Sequence, residues 1–562
     1  MFWFRRPGLI RELVYLLNMY AIVFTLLSAL SPGLAPAQET PPPDYLKPRQ
    51  TKQLAEIRDA IQKATNIVAA SDEPWTIPLW VEIGEARARA GDIQGAFDVL
   101  KRFSDNNQYL KDMMDAMAPY LNNRGVAQQA LQLLAASPNA DAKFIGFQAI
   151  ISAQAHMAGV GGASEYLAQM SRTSVRYTLS GQQGMSADSA AASQKQTESA
   201  MRTVAIALAK SGDLGRATDL ALVIKDDSLR AESLLTIGTA LAQAGDRQSA
   251  ENTFKEADEA IRGIQDKSAQ SRAIVQMARA EAQGKDTEAA FATAERLHRS
   301  DSWLNSFYED ALSEIALEQA RSGDASAAMH TARLIATVGK KLTTLEDIAT
   351  LQLRAGDRRG ALIACQEGLQ LIPAKSEIVE LVSQIPAIAV IQANAGDPDT
   401  AARSLESALE MARALQSARD QSSVVADVAV AQVKIGEAEA AMRMSNRVPP
   451  GNWEAKNRVV KAIAESEALS NRPFDALRTM WEVDCPQGNG HRACVENHDF
   501  ALAQVTRLLA KNGNEKLAFA WADKRNSPAA RAKSYIEIAE GLLDQINPPL
   551  SLQEENTFDV DR

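Results

Sequence analysis

Ile237-Gly-Thr-Ala-Leu-Ala-Gln-Ala-Gly245-Asp246-Arg-Gln-Ser-Ala250-Glu-Asn-Thr-Phe254-Lys-Glu-Ala257 is the stretch on which the fold is decided. Gly245 is placed to take the left-handed conformation that closes one helix, and Asp246 to cap the next. Helix, tight turn, helix is the implied unit. Gly238 before the turn and Ala250 after it lie where two antiparallel helices must approach closely, because larger side chains there would splay the pair.

The unit can be laid over the chain many times. Nine turn glycines, Gly91, Gly125, Gly212, Gly245, Gly323, Gly356, Gly396, Gly436 and Gly513, are each followed five residues later by alanine, from Ala96 to Ala518. In six of the nine the residue after glycine is Asp. Eight residues before most of them stands a β-branched apolar residue and then a small one, as in Ile83-Gly84, Val204-Ala205, Ile348-Ala349 and Val428-Ala429. Two turns keep the pattern in degraded form, Lys285-Asp286 with Ala290 and Asn471-Arg472 with Ala476.

This register resembles the tetratricopeptide repeat, exported bacterial type, over about residues 76–546. Gly238, Gly245, Ala250, Phe254 and Ala257 match the family's series of small, turn, alanine, aromatic and alanine positions, and Pro373 falls where its repeat-ending proline lies. The aromatic positions depart from it: most are aliphatic or small, and Cys365 occupies one. Spacing between successive turns runs from 33 to about 42 residues against about 34 in the family. The resemblance implies an all-α fold, a right-handed superhelical solenoid of tandem antiparallel helix pairs whose concave face is lined mainly by first helices.

Around the repeats the chain divides further. Residues 1–37 read as a signal peptide, with Arg5, Arg6 and Arg11 ahead of the apolar run Leu13–Leu30 and cleavage between Ala37 and Gln38; an uncleaved inner-membrane anchor is the alternative. Residues 38–50 are a proline-rich linker, 51–172 N-terminal helical repeats, 173–197 a loop without periodicity, and 198–526 the repeat solenoid. Residues 527–546 read as a solvating cap for the open end, with the helix from about Arg49 to Ala70 capping the other, and 547–562 as a polar tail. The expected location is the bacterial periplasm.

Composition agrees with packed helices: 46% of residues are hydrophobic but only 5% aromatic, so Ala, Leu, Ile and Val must supply the core. The net charge of −10, falling to −12 once residues 1–37 are removed, leaves no basic stripe for phosphates, so no nucleic acid is expected.

Catalytic patterns are missing. There is no phosphate loop, nucleophile elbow or HExxH helix, and His156, His298 and His330 fit ordinary packing or surface positions. The insert DCPQGNGHRACVENHD brings Cys485, His491, Cys494 and His498 within fourteen residues. A zinc site is one reading; for an exported chain, a Cys485–Cys494 disulfide is the better one. Cys365 reads as a small apolar filler. Trp75, Trp80, Trp303, Trp453, Trp481 and Trp521 should mostly seal helix-pair junctions. The expectation is a non-enzymatic scaffold that binds a protein or peptide partner, with no cofactor and no metal. The alternatives are a substrate-guiding accessory of an envelope or peptidoglycan enzyme, and a metal-binding module at the Cys/His insert.

Overall fold

The computed structural model describes residues 48–120 and 198–546, with short breaks at 72, 74, 103–106, 118–119, 200, 207, 211, 299–301, 374–377, 450, 482–484, 486–490 and 526. The leader with Ala37 and Gln38, the segment 173–197, the Gly125 turn, His156 and the tail 547–562 lie outside the described residues. Among the described residues the structure is helical and no strand occurs.

In chain order the helices are α1 (Pro48–Ala69), α2 (Thr76–Arg89), α3 (Ile93–Lys101), α4 (Asn107–Met117), α5 (Leu214–Val223), α6 (Asp227–Gln243), α7 (Arg247–Gly263), α8 (Lys267–Gln283) and α9 (Thr287–Glu295). There follow α10 (Ser302–Arg321), α11 (Ala325–Leu334), α12 (Val338–Arg354), α13 (Arg358–Gln370), the single turn α14 (Val379–Val382), α15 (Ile385–Asn394), α16 (Pro398–Ala414) and α17 (Ala418–Lys434). The chain continues through α18 (Ala438–Ser445), α19 (Trp453–Leu469), α20 (Pro473–Met480), α21 (His491–Lys511), α22 (Glu515–Asp523) and α23 (Pro528–Ile546). They fall into two compact units, one holding Ile93–Glu318, the other Asp44–Asp92 with Gln319–Arg562.

One turn geometry recurs in both units. At Gly245 (φ 88°) the glycine N–H donates to the Ala242 carbonyl at 3.1 Å and the Asp246 N–H to the Leu241 carbonyl at 3.0 Å. These are the two bonds of a Schellman ending. The Asp246 carboxylate then accepts from the Ser249 N–H, so a single dipeptide stops one helix and starts another. Asp213, Asp286, Asp324, Asp357 and Asp397 cap in the same way. Positive φ recurs at Gly91, Gly212, Gly323, Gly356, Gly396, Gly436 and Gly513. Where glycine is lacking the backbone still bends left-handed, at Lys285 (φ 65°) and Asn471 (φ 56°), despite a cost of about 1 to 2 kcal/mol for a side chain in that region.

Close helix approach explains the small residues. Ala96, Ala217, Ala250, Ala290, Ala328, Ala361, Ala401, Ala441, Ala476 and Ala518 are all at most 2% exposed. At Gly238 a Cβ would lie 2.6 Å from the Phe254 ring, so the α6–α7 pair has no room for even a methyl group there.

In the first unit α6 pairs with α7, α8 with α9, and α6 packs on α8. In the second, the pairs are α12/α13, α15/α16, α17/α18, α19/α20 and α21/α22, and each first helix lies against the next from α12 through α15, α17, α19 and α21 to α23.

The last helix departs from the solvating cap expected of residues 527–546. α23 is buried along almost its whole length, from Ala530 to Asp544, because α21 covers one side while α1 and α2 cover another. The first described helix, α1, therefore does not cap a second open end; it packs against the last described helix, α23. The contact is intimate enough that a Cβ on Gly541 would meet the Arg507 carbonyl of α21. It also carries ions: Arg89 of α2 bonds Glu540 and, at 2.6 Å, Asp544, while Lys533 bonds Glu82 of α2 at 2.7 Å. Burial pushes Glu540 up to about 7, although Arg89 beside it pulls the other way.

Candidate functional site

Four of the described helix pairs are positioned by a buried polar bond as well as by their small residues. The residue four before the turn position faces the residue eight after it. There the Thr331 hydroxyl donates to Gln319 Oε1 at 2.7 Å, Ser404 to Gln392 Oε1 at 2.8 Å, and Thr479 to Glu467 Oε2 at 2.7 Å. Thr293 serves Glu281 in the same register, yet Glu281 is only 5% exposed and burial pushes its carboxyl up to about 7. At Gln352 and Gln432 the partner position holds Ala364 and Met444, and both Oε1 atoms are buried with no hydrogen-bond partner among the described residues. Sequence reading missed this series, whose signal is the fixed spacing of twelve between Gln or Glu and Ser or Thr.

On the stacked first helices of the second unit lies a cavity of about 590 Å³. Three helices line it, each through residues one turn apart: Arg419 and Ser423 on α17, Trp453, Asn457 and Lys461 on α19, and Asn497 and Ala501 on α21. Spacing of four puts such side chains on one helix face. The helices are held in place around it. Asn452, just before α19, donates to the Ser422 hydroxyl at 2.6 Å, Arg458 reaches the Ser423 carbonyl at 3.1 Å, Arg419 pairs with Glu454 at 2.8 Å, and Arg458 with Asp427 at 3.0 Å. Exposed pairs of this kind contribute about 0 to 1 kcal/mol each, so they orient the helices more than they stabilise them. Asn457 at the cavity wall is only 8% exposed, and neither its Nδ2 nor its Oδ1 has a hydrogen-bond partner among the described residues.

A second cavity of the same unit, about 1130 Å³, is lined by Trp75 and Leu79 from the α1–α2 region, Phe500 of α21 and Lys533 of α23. Its lysine is already committed to Glu82 and Glu537, and lies 5.0 Å from the Phe500 ring centre.

The residues singled out in the sequence are placed as follows. Cys485 and Cys494 are joined by a disulfide, with Cα atoms 5.6 Å apart. Cys365 is free and buried on α13, and burial pushes its thiol up to about 12, which removes thiolate reactivity near neutral pH. His498 bonds the Met480 carbonyl at 2.7 Å and burial lowers its pKa, while His491 is exposed. The insert's four side chains are not assembled as a ligand set, and no group of three or more His, Cys, Asp and Glu able to hold a metal occurs among the described residues. His298 lies against the Tyr308 ring and His330 is exposed. Of the tryptophans, Trp80 is buried as a junction seal, whereas Trp481 is 63% exposed and tilted against Trp521, their ring centres 5.7 Å apart. Among the described residues no helix is long and apolar enough to cross a membrane; the apolar run 13–30 is not among them.

No family model matches the chain, and no curated protein does either. Among the solved structures similar to it are two of low identity. One, the crystal structure of Ton1535 from Thermococcus onnurineus NA1, is 12% identical with a TM-score of 0.23, the alignment covering 59% of this chain and 99% of that one. The other, a circular tandem repeat protein with novel repeat topology and enhanced subunit contact surfaces, is 14% identical with a TM-score of 0.13, covering 89% and 92%. At such scores neither alignment carries an argument about this chain, whose described residues are helical and built into packed adjacent helix pairs.

Proposed function

We propose that the chain is an exported, non-enzymatic scaffold of tetratricopeptide-like helix pairs, forming a right-handed superhelix that takes a protein or peptide partner along its first helices in the cell envelope. The observation carrying this reading is the recurrence of one turn, with its capping aspartate and buried alanine, in successive pairs whose first helices pack on one another. A stack of that kind presents an extended surface, and each pair depends only on its neighbours. The charged leader with its Ala37-Gln38 junction and the Cys485–Cys494 disulfide both suit an oxidising compartment outside the cytoplasm.

The experiment compares partner capture by the parent with Ala361→Leu, His330→Ala and His498→Ala. Ala361 is fully buried, so leucine there forces the α12–α13 pair apart at a cost of about 1 to 3 kcal/mol and should abolish capture. The histidine variants should capture as the parent does. Loss of activity in a histidine variant whose circular dichroism and melting match the parent would replace the scaffold with a catalytic site.

A further inference from the structure

The three most exposed large apolar side chains among the described residues all fall between residues 469 and 481: Leu469 (62%), Phe474 (74%) and Trp481 (63%). Leu469 is the last residue of α19, Phe474 stands in the first turn of α20, and Trp481 lies just past its end. Spacing of four and then three puts Phe474, Arg478 and Trp481 on one face of α20. α22 extends that face, because Trp521 lies against Trp481 with ring centres 5.7 Å apart, and Lys524 follows Trp521 by one turn. Both α20 and α22 are second helices of their pairs. The face is therefore apart from the first-helix stack that carries the partner surface, and none of its aromatic residues lines either cavity described above.

Cations border the rings. Arg478, 76% exposed, stands between Phe474 and Trp481, with Asp475 holding its guanidinium at 2.7 Å. Residues 472–481 and 514–525 together carry Arg472, Arg478, Lys516, Lys524 and Arg525 against Asp475, Glu515 and Asp523, a net +2 in a chain of −10. Of those acids, Asp523 accepts from the Tyr535 hydroxyl of α23. Aromatic rings with Arg and Lys at their edge match the headgroup layer of a bilayer, where amphipathic rings lodge at the apolar boundary and long cationic side chains reach the phosphates. A protein partner would receive such anchors in pockets, but a second copy meeting this face with its own would set cation against cation. We propose that the face of Phe474, Trp481 and Trp521 is a membrane-interface site, which seats the chain on the surface of an anionic phospholipid bilayer with Arg478 and Lys524 on the phosphates. The site is additional to the partner surface and does not rest on it.

The test adds unilamellar vesicles to the full chain, of phosphatidylcholine alone or with about 30% phosphatidylglycerol, and follows amide hydrogen exchange resolved to each helix. That readout reports this face whatever residues 1–37 do at a membrane. The mixed vesicles should slow exchange in α20 and α22 and leave α12 and α13 unchanged, and the effect should weaken as salt rises. Phe474→Ser with Trp481→Ser should raise the lipid concentration giving half of the effect by about tenfold or more, and Arg478→Glu with Lys524→Glu should do the same. All four side chains are exposed, so both double variants should melt as the parent does. The proposal is overturned if mixed vesicles leave α20 and α22 unchanged, or if either double variant responds as the parent does. It is also overturned if exchange there slows with protein concentration in the absence of lipid, which would give the face to a second copy. Partner capture without lipid should be unchanged in both double variants, and its loss would give the face to a protein partner instead. Failure of the scaffold reading shows in Ala361→Leu and leaves this site untouched.

Discussion

Replacing Ser404 by alanine tests whether the buried polar bonds hold the helix pairs in register. Ser404 on α16 donates to Gln392 Oε1 of α15 at 2.8 Å, and both residues are buried. The variant loses the bond and leaves the glutamine oxygen without a donor, at a cost of about 1 to 3 kcal/mol. The complementary change is Ala364→Ser, which places a hydroxyl twelve residues after Gln352, whose Oε1 has no partner among the described residues; it should stabilise α12–α13 by about 0.5 to 1.5 kcal/mol. Melting of a chain with two units blurs such local effects, so the assay is amide hydrogen exchange resolved to each pair. Ser404→Ala should speed exchange across α15 and α16 by about 5- to 150-fold, and Ala364→Ser should slow it across α12 and α13. A double-mutant cycle with Gln392→Leu isolates the bond, because serine has nothing to satisfy in that background. Equal effects of Ser404→Ala in the parent and in the Gln392→Leu chain would refute the reasoning, as would Ala364→Ser leaving α12–α13 unchanged.

Two further outcomes follow from the same repeat. Glu281 titrates near 7 in the folded chain against about 4.5 when exposed, so the fold binds its proton more tightly and loses stability as pH rises through that window. Glu281→Gln keeps an acceptor for Thr293, as Gln319 does for Thr331, and should raise stability by about 1 to 3 kcal/mol at pH 8 with almost no change at pH 4.5; an equal shift at both pH values would rule out titration as the cause. Lys285→Gly removes a side chain from a left-handed backbone and should gain about 0.5 to 1 kcal/mol by urea melting once the extra freedom of glycine in the unfolded chain is subtracted; a loss would mean that the lysine makes a compensating contact.

What could be read without coordinates was local. Gly245 and Asp246 encode their turn within a handful of residues, so it is visible in one stretch, and the degraded turns at Lys285 and Asn471 were recognisable only because Ala290 and Ala476 kept their places. The polar bonds were hidden because Gln392 and Ser404 belong to residue types common on exposed helix faces, and only the repeat's register makes their spacing meaningful. α23 is hard to read for a different reason. Tyr535, Ile536, Ile538, Leu542 and Leu543 surround the helix with apolar side chains, a sign of burial on more than one side, but no second-helix register follows in the sequence, which favours a solvent-facing end. Its cover comes from α1 and α2, and Arg89 meets Glu540 across 451 residues of sequence, a distance over which periodicity carries no information. Asn457 belongs to the same class. On α19 alone it would be an ordinary helical asparagine; packing against helices more than twenty residues away in either direction buries its amide without giving it a partner. A buried residue of this kind is defined by the neighbours that fail to satisfy it, and those neighbours come into view only when the helices are stacked.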